Sequence, residues 1–268
     1  SADQHTEGLA FLDDAIKARK SSGAEVPDRW YRRGIQIAYN NEIKPQVYDF
    51  VLGWIEDYPS PENWKDAVNL TRNLNQFENP ELLDIFRLSR KVGALTDAPE
   101  YDYYVEAADA RRLPKEAKDV IEAGFAAGDV SRDNSYLNES LEVANGRIAS
   151  DRADLPALES DARNASAQLR TVTAAASAFL SYGEYGKAIE FYTKALGMPG
   201  VETGEALTRL GIAQAGAGDF AAARETFAKV DGKRAPIAKL WMAYTEAQSP
   251  AAAAAAPRET ATDEMTGG

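Results

Sequence analysis

The stretch SYGEYGKAIEFYTKALGMPG, residues 181–200, decides which fold class this chain is expected to adopt. Its small and aromatic positions recur 35 residues later, with a matching residue type at each position. The matched pairs are Gly183 and Gly218, Tyr185 and Phe220, Ala188 and Ala223, Tyr192 and Phe227, and Ala195 and Val230. A period of this length is typical of stacked helical hairpins, in which glycine permits the turn and alanine permits close helix contact.

These residues resemble the tetratricopeptide repeat, which pairs two antiparallel helices in about 34 residues. The marks of that family present here are Leu210–Gly211 in a first helix, the Gly-x-aromatic turns, and Ala195–Leu196 before Pro199. The layout is also similar to repeat proteins of unassigned role from alphaproteobacteria. The resemblance implies an all-α solenoid of about five helix pairs in two blocks, with capping helices at the ends.

Diverged copies of the same period precede the clear ones. Trp30 and Trp64 lie 34 residues apart, and Pro45, Pro80 and Pro114 recur at similar spacing, each predicted just inside a second helix, where proline is tolerated. The expected segments are an N-terminal capping helix (1–26), three degenerate repeats (27–130), an irregular acidic connector (131–168) that breaks near Pro156, two repeats with a C-terminal capping helix (169–248) and a disordered Ala-rich tail (249–268).

The charge of the chain argues against nucleic acid as a partner. The formal net charge is −12, and residues 97–161 contain 16 acidic against 7 basic side chains. Affinity for nucleic acid comes largely from Lys and Arg on phosphates, so an acidic chain is poorly suited to it. No apolar run approaches the roughly 18 residues of a membrane-spanning helix, and we therefore expect no transmembrane segment.

The compartment is predicted from weaker observations. The absence of cysteine excludes disulfides and thiolate chemistry without fixing a redox environment. The chain begins SADQHTEG, which is compatible with cleavage of a signal peptide or with a trimmed sequence. Together with the resemblance, this favours export to the periplasm of a Gram-negative bacterium, with the cytoplasm as the alternative.

The sequence offers little material for catalysis. His5 is the one histidine and lies near a terminus, so a His-based triad or a His-rich metal site is not expected. The glycine-rich AGAGDF at 215–220 follows a predicted helix and lacks the phosphate-binding Lys, which makes it a repeat turn. We therefore expect no enzyme activity, no cofactor and no metal site.

The resemblance implies a binding surface, because tetratricopeptide proteins usually hold a peptide on the concave face formed by the first helices of each pair. Some members clamp a peptide carboxylate with Lys and Asn four residues apart, as Lys65 and Asn69 are, but the next unit has Tyr101 and Val105 where that clamp needs basic residues. The positions carried over are Tyr31, Tyr39, Lys65, Asn69, Arg72, Asn73, Tyr101, Arg170 and Thr173. For the tyrosines, helix packing is an equally good explanation.

The sequence thus predicts a non-catalytic scaffold or adaptor that binds a protein or peptide partner in a concave groove. Two alternatives remain open at this point. One is a structural subunit of a cell-envelope assembly that makes contacts through its outer faces, which exposed apolar patches would favour. The other is a helical hydrolase or lyase that uses two carboxylates, which would need two acidic side chains with clearly perturbed proton affinities within about 5–10 Å of each other.

Overall fold

The computed structural model describes residues 2–248, and this part of the chain is all-α, as expected. Its helices are connected by short turns, with one short 3₁₀ helix near the end. The elements are α1 (Ala2–Ser21), α2 (Asp28–Asn40), α3 (Lys44–Asp57), α4 (Pro61–Asn73), α5 (Asn79–Lys91), α6 (Ala98–Ala108), α7 (Pro114–Ala127), α8 (Ser135–Arg163), α9 (Leu169–Ser181), α10 (Tyr185–Leu196), α11 (Thr203–Gly216), α12 (Phe220–Phe227), the 3₁₀ helix (Gly232–Arg234) and α13 (Ala235–Ala247). The tail expected at 249–268 lies outside the described residues.

The helices begin where the sequence supplies starting residues. Pro45, Pro80 and Pro114 lie in the first turns of α3, α5 and α7, as predicted, since proline lacks the N–H that would be unpaired there. Side chains cap other helices: Ser60 accepts from the amide of Asn63, and Asn134 accepts from the amide of Leu137. These local contacts define short helices of 8 to 14 residues over most of the chain, with α1 and α8 longer.

Helix pairs in both halves share one packing contact. A Cβ added to Gly34 on α2 would lie 2.5 Å from the ring of Phe50 on α3, and a Cβ added to Gly211 on α11 would lie 2.5 Å from the ring of Phe227 on α12. In each pair the aromatic residue follows its glycine by the same interval. The absence of a side chain therefore lets an aromatic ring fill the space between two closely approaching helices.

Most turns inside the pairs also match. Gly183 and Gly218, the two turn glycines of the clear repeats, adopt left-handed backbone conformations with φ of 72° and 83°. The corresponding turns after α2 and α6 contain non-glycine residues with the same sign of φ, Glu42 at 56° and Asp109 at 55°. A positive φ thus recurs at two turns that lack glycine, whereas the turn between α4 and α5 has no residue with a positive φ.

The segment between the two blocks differs from the expected irregular connector. Residues Ser135–Arg163 form a single helix, α8, which contains Pro156 without ending there. Leu137, Ala144 and Leu155 are buried on one face of α8, which packs first on α7 and then on α9. The prediction of a break was wrong because packing along this apolar face outweighs the hydrogen bond that one exposed proline removes.

Replacing Pro156 with alanine should therefore stabilise the protein. Alanine restores the N–H that α8 lacks at this position and relieves crowding with the preceding turn, a change of about 3 kcal/mol in helix preference. The greater freedom of the unfolded chain offsets about 1 kcal/mol of that gain. We expect the free energy of unfolding to rise by about 2 kcal/mol in urea titrations. The exposed neighbour Ser160, replaced with alanine, is the control, and an unchanged value for the Pro156→Ala variant would contradict the prediction.

The C-terminal helix α13 packs on more of the chain than a cap of the last repeat would. It contacts α11 and α12, as expected, and also α3, α4 and α5 of the first block. Trp241 on α13 stacks on Phe227, with ring centroids 5.9 Å apart, and its indole N–H donates to the main-chain oxygen of Asp84 at 3.0 Å. The two blocks are therefore joined through α8, through α13 and through direct contact of α11 with α5.

A buried group of charges lies at this junction. The carboxylate of Asp84 on α5 is fully buried and is paired with three arginines: Arg87 of α5 at 2.9 Å, Arg209 of α11 at 3.2 Å and Arg234 of the 3₁₀ helix at 2.5 Å. Glu116 on α7 accepts two hydrogen bonds from Arg87, each of 2.7 Å. We call these five residues the Asp84 network.

Candidate functional site

The sequence-predicted residues that come together lie in a cleft between α2 and α4, which we call the α2–α4 cleft. Its volume is about 420 Å³. Val51 and Trp54 of α3 form its floor together with apolar parts of α2 and α4. The full lining is Arg32, Ile35, Gln36, Tyr39, Asn40, Val51, Trp54, Asp66, Ala67, Asn69, Leu70 and Asn73. Tyr39, Asn69 and Asn73 are the members that the sequence predicted.

The rim of this cleft is rich in carboxamides. Gln36 and Asn40 belong to α2, and Asn69 and Asn73 belong to α4, so the amides stand on both sides of the apolar floor. A carboxamide both donates and accepts hydrogen bonds, which matches the alternating N–H and C=O groups of a peptide backbone. Tyr39 is 39% exposed at the same rim and adds an aromatic surface. The cleft thus offers an apolar floor between two polar edges.

Arg72 lies beside this cleft and is held by aromatic rings. Its guanidinium carbon is 4.7 Å from the ring centroid of Phe86 and 5.4 Å from that of Tyr103. One terminal nitrogen donates to Asn69 at 3.4 Å, whereas the buried Nε has no hydrogen-bond partner among the described residues. Burial lowers the pKa of Arg72. Through Asn69, the arginine helps to orient one of the rim amides.

Lys65 binds residues at the start of α6, outside the α2–α4 cleft. Its ammonium group donates to Asp97 and to the hydroxyl of Thr96, both at 2.7 Å, and lies 3.6 Å from Glu100. These contacts tie α4 to the start of α6. Lys65 is absent from the lining of the α2–α4 cleft, so Lys65 and Asn69 do not form a joint carboxylate clamp.

Two of the predicted tyrosines are core residues. Tyr31 is 1% exposed and Tyr101 is 4% exposed. Each hydroxyl donates to an aspartate at the end of the partner helix, Asp57 for Tyr31 and Asp129 for Tyr101. Both rings fill space left by a glycine, Gly53 or Gly124, on the paired helix, and helix packing therefore accounts for both tyrosines.

The remaining predicted residues line a different cleft. Arg170 and Thr173 of α9 face Glu202, Glu205 and other residues of the segment from Gly200 to Ala206, around a volume of about 310 Å³. The hydroxyl of Thr173 donates to the main-chain oxygen of Leu169 at 3.0 Å. The sequence-predicted set is thus divided between the two blocks and does not form one continuous site.

Sequence reasoning missed the floor of the α2–α4 cleft. Val51 and Trp54 belong to the second helix of their pair, whereas the family pattern directs attention to first helices only. The indole N–H of Trp54 donates to Asp28 at 2.7 Å, and Arg32 lies over its ring with the guanidinium carbon 4.6 Å from the centroid. The useful signal was the spacing of Val51 and Trp54, which places both on one face of α3.

The buried carboxylates of Asp84 and Glu116 form ion pairs with arginines. Burial alone would raise the pKa of Asp84, but Arg209, Arg87 and Arg234 outweigh it and hold the pKa below its usual range. Burial likewise opposes ionisation of Glu116, and Arg87 lowers the pKa of that group on balance. Both groups are therefore charged at neutral pH. Glu100 differs from these two groups. It lies 3.6 Å from Lys65, and burial and the charge of Asp97 raise its pKa.

The described part of the chain contains no group of three or more His, Asp or Glu side chains placed to hold a metal ion. None of its helices combines the length and the apolar character that crossing a membrane requires. The geometry therefore directs attention to clefts between helices, of which the α2–α4 cleft collects the most sequence-predicted residues. Comparison of the chain with protein-family models, with curated proteins and with solved structures found no match.

Proposed function

We propose that this protein is a non-catalytic scaffold that binds an extended peptide segment of a partner protein in the α2–α4 cleft. The observation that carries the proposal is the apolar floor of Val51 and Trp54 between carboxamides on α2 and α4. A volume of about 420 Å³ lies in the range of small-ligand sites, about 300–1,000 Å³, and has room for one large apolar side chain.

The rim and the floor would recognise different parts of the peptide. Asn40, Asn69 and Asn73 would bond the main chain, whichever side chains the peptide carries. The floor would select a residue with an apolar or aromatic side chain, which loses contact with water on entering. Because the helices that form the cleft are already packed, the protein itself would lose little conformational freedom on binding.

We also propose that the chain is a tetratricopeptide-like repeat protein. The proposal is supported by the 35-residue period, the glycine–aromatic contacts of Gly34 with Phe50 and of Gly211 with Phe227, and the left-handed turns at Gly183 and Gly218. Export to the periplasm stays a prediction from the resemblance.

The ionisation of Asp84 and Glu116 does not suit these two carboxylates as a pair for hydrolysis. A carboxylate pair for hydrolysis needs one group that stays protonated as the acid. The pKa values of Asp84 and Glu116 are instead both lowered, and Arg87 lies between the two groups and bonds to each.

The test is selection of a random peptide library on the intact protein, followed by affinity measurements on a triple variant, Tyr39→Ala, Asn69→Ala and Asn73→Ala. Each lost hydrogen bond contributes about 0.5–1.5 kcal/mol, so the triple variant should bind selected peptides at least tenfold more weakly. The selected peptides should share one apolar or aromatic position.

The matched control is a double variant, Tyr136→Ala and Gln76→Ala, which removes an exposed tyrosine and an exposed amide outside the cleft. It should retain the affinity of the intact protein. Equal affinities for the triple variant and the control, with folding intact in both, would place peptide binding outside the α2–α4 cleft.

A further inference from the structure

A second cleft lies where the two blocks meet, and we call it the interblock cleft. It has a volume of about 420 Å³ and is bounded by α5, α6 and α7 of the first block and by α9, α10, α11 and α13 of the second. Four aromatic side chains contribute to its wall: Tyr104, Tyr182, Tyr185 and Trp241.

The charges around this cleft are unbalanced. Arg87 and Glu116 of the lining pair with each other, and Asp119 pairs with Lys115. The side chains of Arg90 and Lys91, at the end of α5, make no ion pair or hydrogen bond with any described residue. The cleft therefore carries two uncompensated positive charges in a chain whose formal net charge is −12.

The wall of the cleft also presents a free polar group. The hydroxyl of Tyr185 makes no hydrogen bond within the described part of the chain, whereas that of Tyr182 donates to Asp151 at 2.7 Å and that of Tyr104 donates to Glu116 at 3.0 Å. A hydroxyl can donate to an anionic oxygen while the ring beside it contacts an apolar group. Cationic and aromatic groups are thus combined in one concave site.

We propose that the interblock cleft binds a small organic anion, whose carboxylate or phosphate group is held by Arg90 and Lys91. Such groups accept charge-assisted hydrogen bonds, and the fork of an arginine can engage two oxygens at once. The body of the molecule lies against the partly exposed rings of Tyr182 and Tyr185, and the hydroxyl of Tyr185 donates to one of its oxygens. This site is separate from the α2–α4 cleft and does not depend on the peptide-binding proposal.

The alternative role of Arg90 and Lys91 is to offset the partial negative charge at the end of α5. That role requires neither a cleft nor a ligand, and it predicts a small change in stability when the charges are removed. Binding measurements on variants separate the two roles, because only the site proposed here links these charges to the affinity for an anion.

The experiment is isothermal titration of the intact protein with citrate, inorganic phosphate, phenyl phosphate, 4-hydroxybenzoate and, as a neutral analogue, 4-hydroxybenzamide. We expect at least one anion to bind with an affinity that weakens as salt is raised, while the amide does not bind. The affinities for citrate and 4-hydroxybenzoate, compared with those for the two phosphates, show whether the site binds a carboxylate or a phosphate.

The variant Arg90→Gln with Lys91→Gln should weaken that binding at least tenfold, and Tyr185→Phe should weaken it less. The control, Lys229→Gln with Lys239→Gln, removes two exposed cations outside the cleft and should bind like the intact protein. The triple variant of the α2–α4 cleft should also bind the anion normally. The proposal is overturned if no anion binds at millimolar concentration, or if the two charge variants bind equally well.

Discussion

Replacing Asp84 with alanine should lower the free energy of unfolding by about 3–5 kcal/mol, one of the two largest effects of a single substitution that we expect in this protein. The substitution leaves Arg87, Arg209 and Arg234 buried around an empty position, with Glu116 alone to neutralise Arg87 inside the network. Removing one member of a buried group of charges costs more than the net contribution of the intact group, because the remaining charges stay desolvated. Urea titration followed by circular dichroism measures the loss.

Two further variants test the explanation. Asp84→Asn keeps the shape of the side chain and removes its charge, so most of the loss should remain. Glu225→Ala removes an exposed carboxylate on α12 that pairs with no described residue, and such changes usually lie within about 0.5 kcal/mol. A loss below 1 kcal/mol for Asp84→Ala would mean that the arginines find other partners or water.

The second large effect is expected for Trp241→Ala, at about 3–5 kcal/mol. Trp241 is 1% exposed, stacks on Phe227 and makes an edge-on contact with Tyr244 at a centroid distance of 5.7 Å. Truncation leaves a cavity between α13 and the first block and removes the donor that serves the main-chain oxygen of Asp84. Thermal unfolding should show the loss as a lower melting temperature.

Trp241→Phe separates the two contributions of this side chain. A phenyl ring keeps most of the stacking on Phe227 and loses the indole N–H, so its cost should be clearly smaller than that of the alanine variant. Met242→Ala, a change at the partly buried neighbour, provides the comparison. If Trp241→Ala lowered stability no more than Met242→Ala does, the contacts of Trp241 would not be what joins α13 to the first block.

The sequence predicted the elements that local chemistry controls. Prolines placed the starts of α3, α5 and α7, and the glycines at 183 and 218 placed turns, because these residues restrict or extend backbone freedom whatever surrounds them. The period of 35 residues relates the turn glycines 183 and 218, which share a left-handed backbone conformation. Tyr39, Asn69 and Asn73 came from the family pattern, and the structure brings them into one cleft.

What the sequence could not predict depends on contacts between distant segments. Asp84 is one acidic residue on an amphipathic helix. The residues next to it in the sequence do not indicate that it pairs with arginines 125 and 150 positions later. Tyr31 and Tyr101 are aromatic residues on first helices, which suits a groove and a core equally well. Their burial is determined by Gly53 and Gly124 on the partner helices. The interblock cleft exists only because the blocks meet.

The placement of α13 has a consequence for synthesis of the chain on the ribosome. The first block emerges early, with Asp84 paired to Arg87 but without Arg209, Arg234 and Trp241, which are made more than a hundred residues later. Contacts between segments so far apart in sequence form late and slow folding. The N-terminal helices therefore keep these polar groups hydrated and this apolar surface exposed until α13 has been translated.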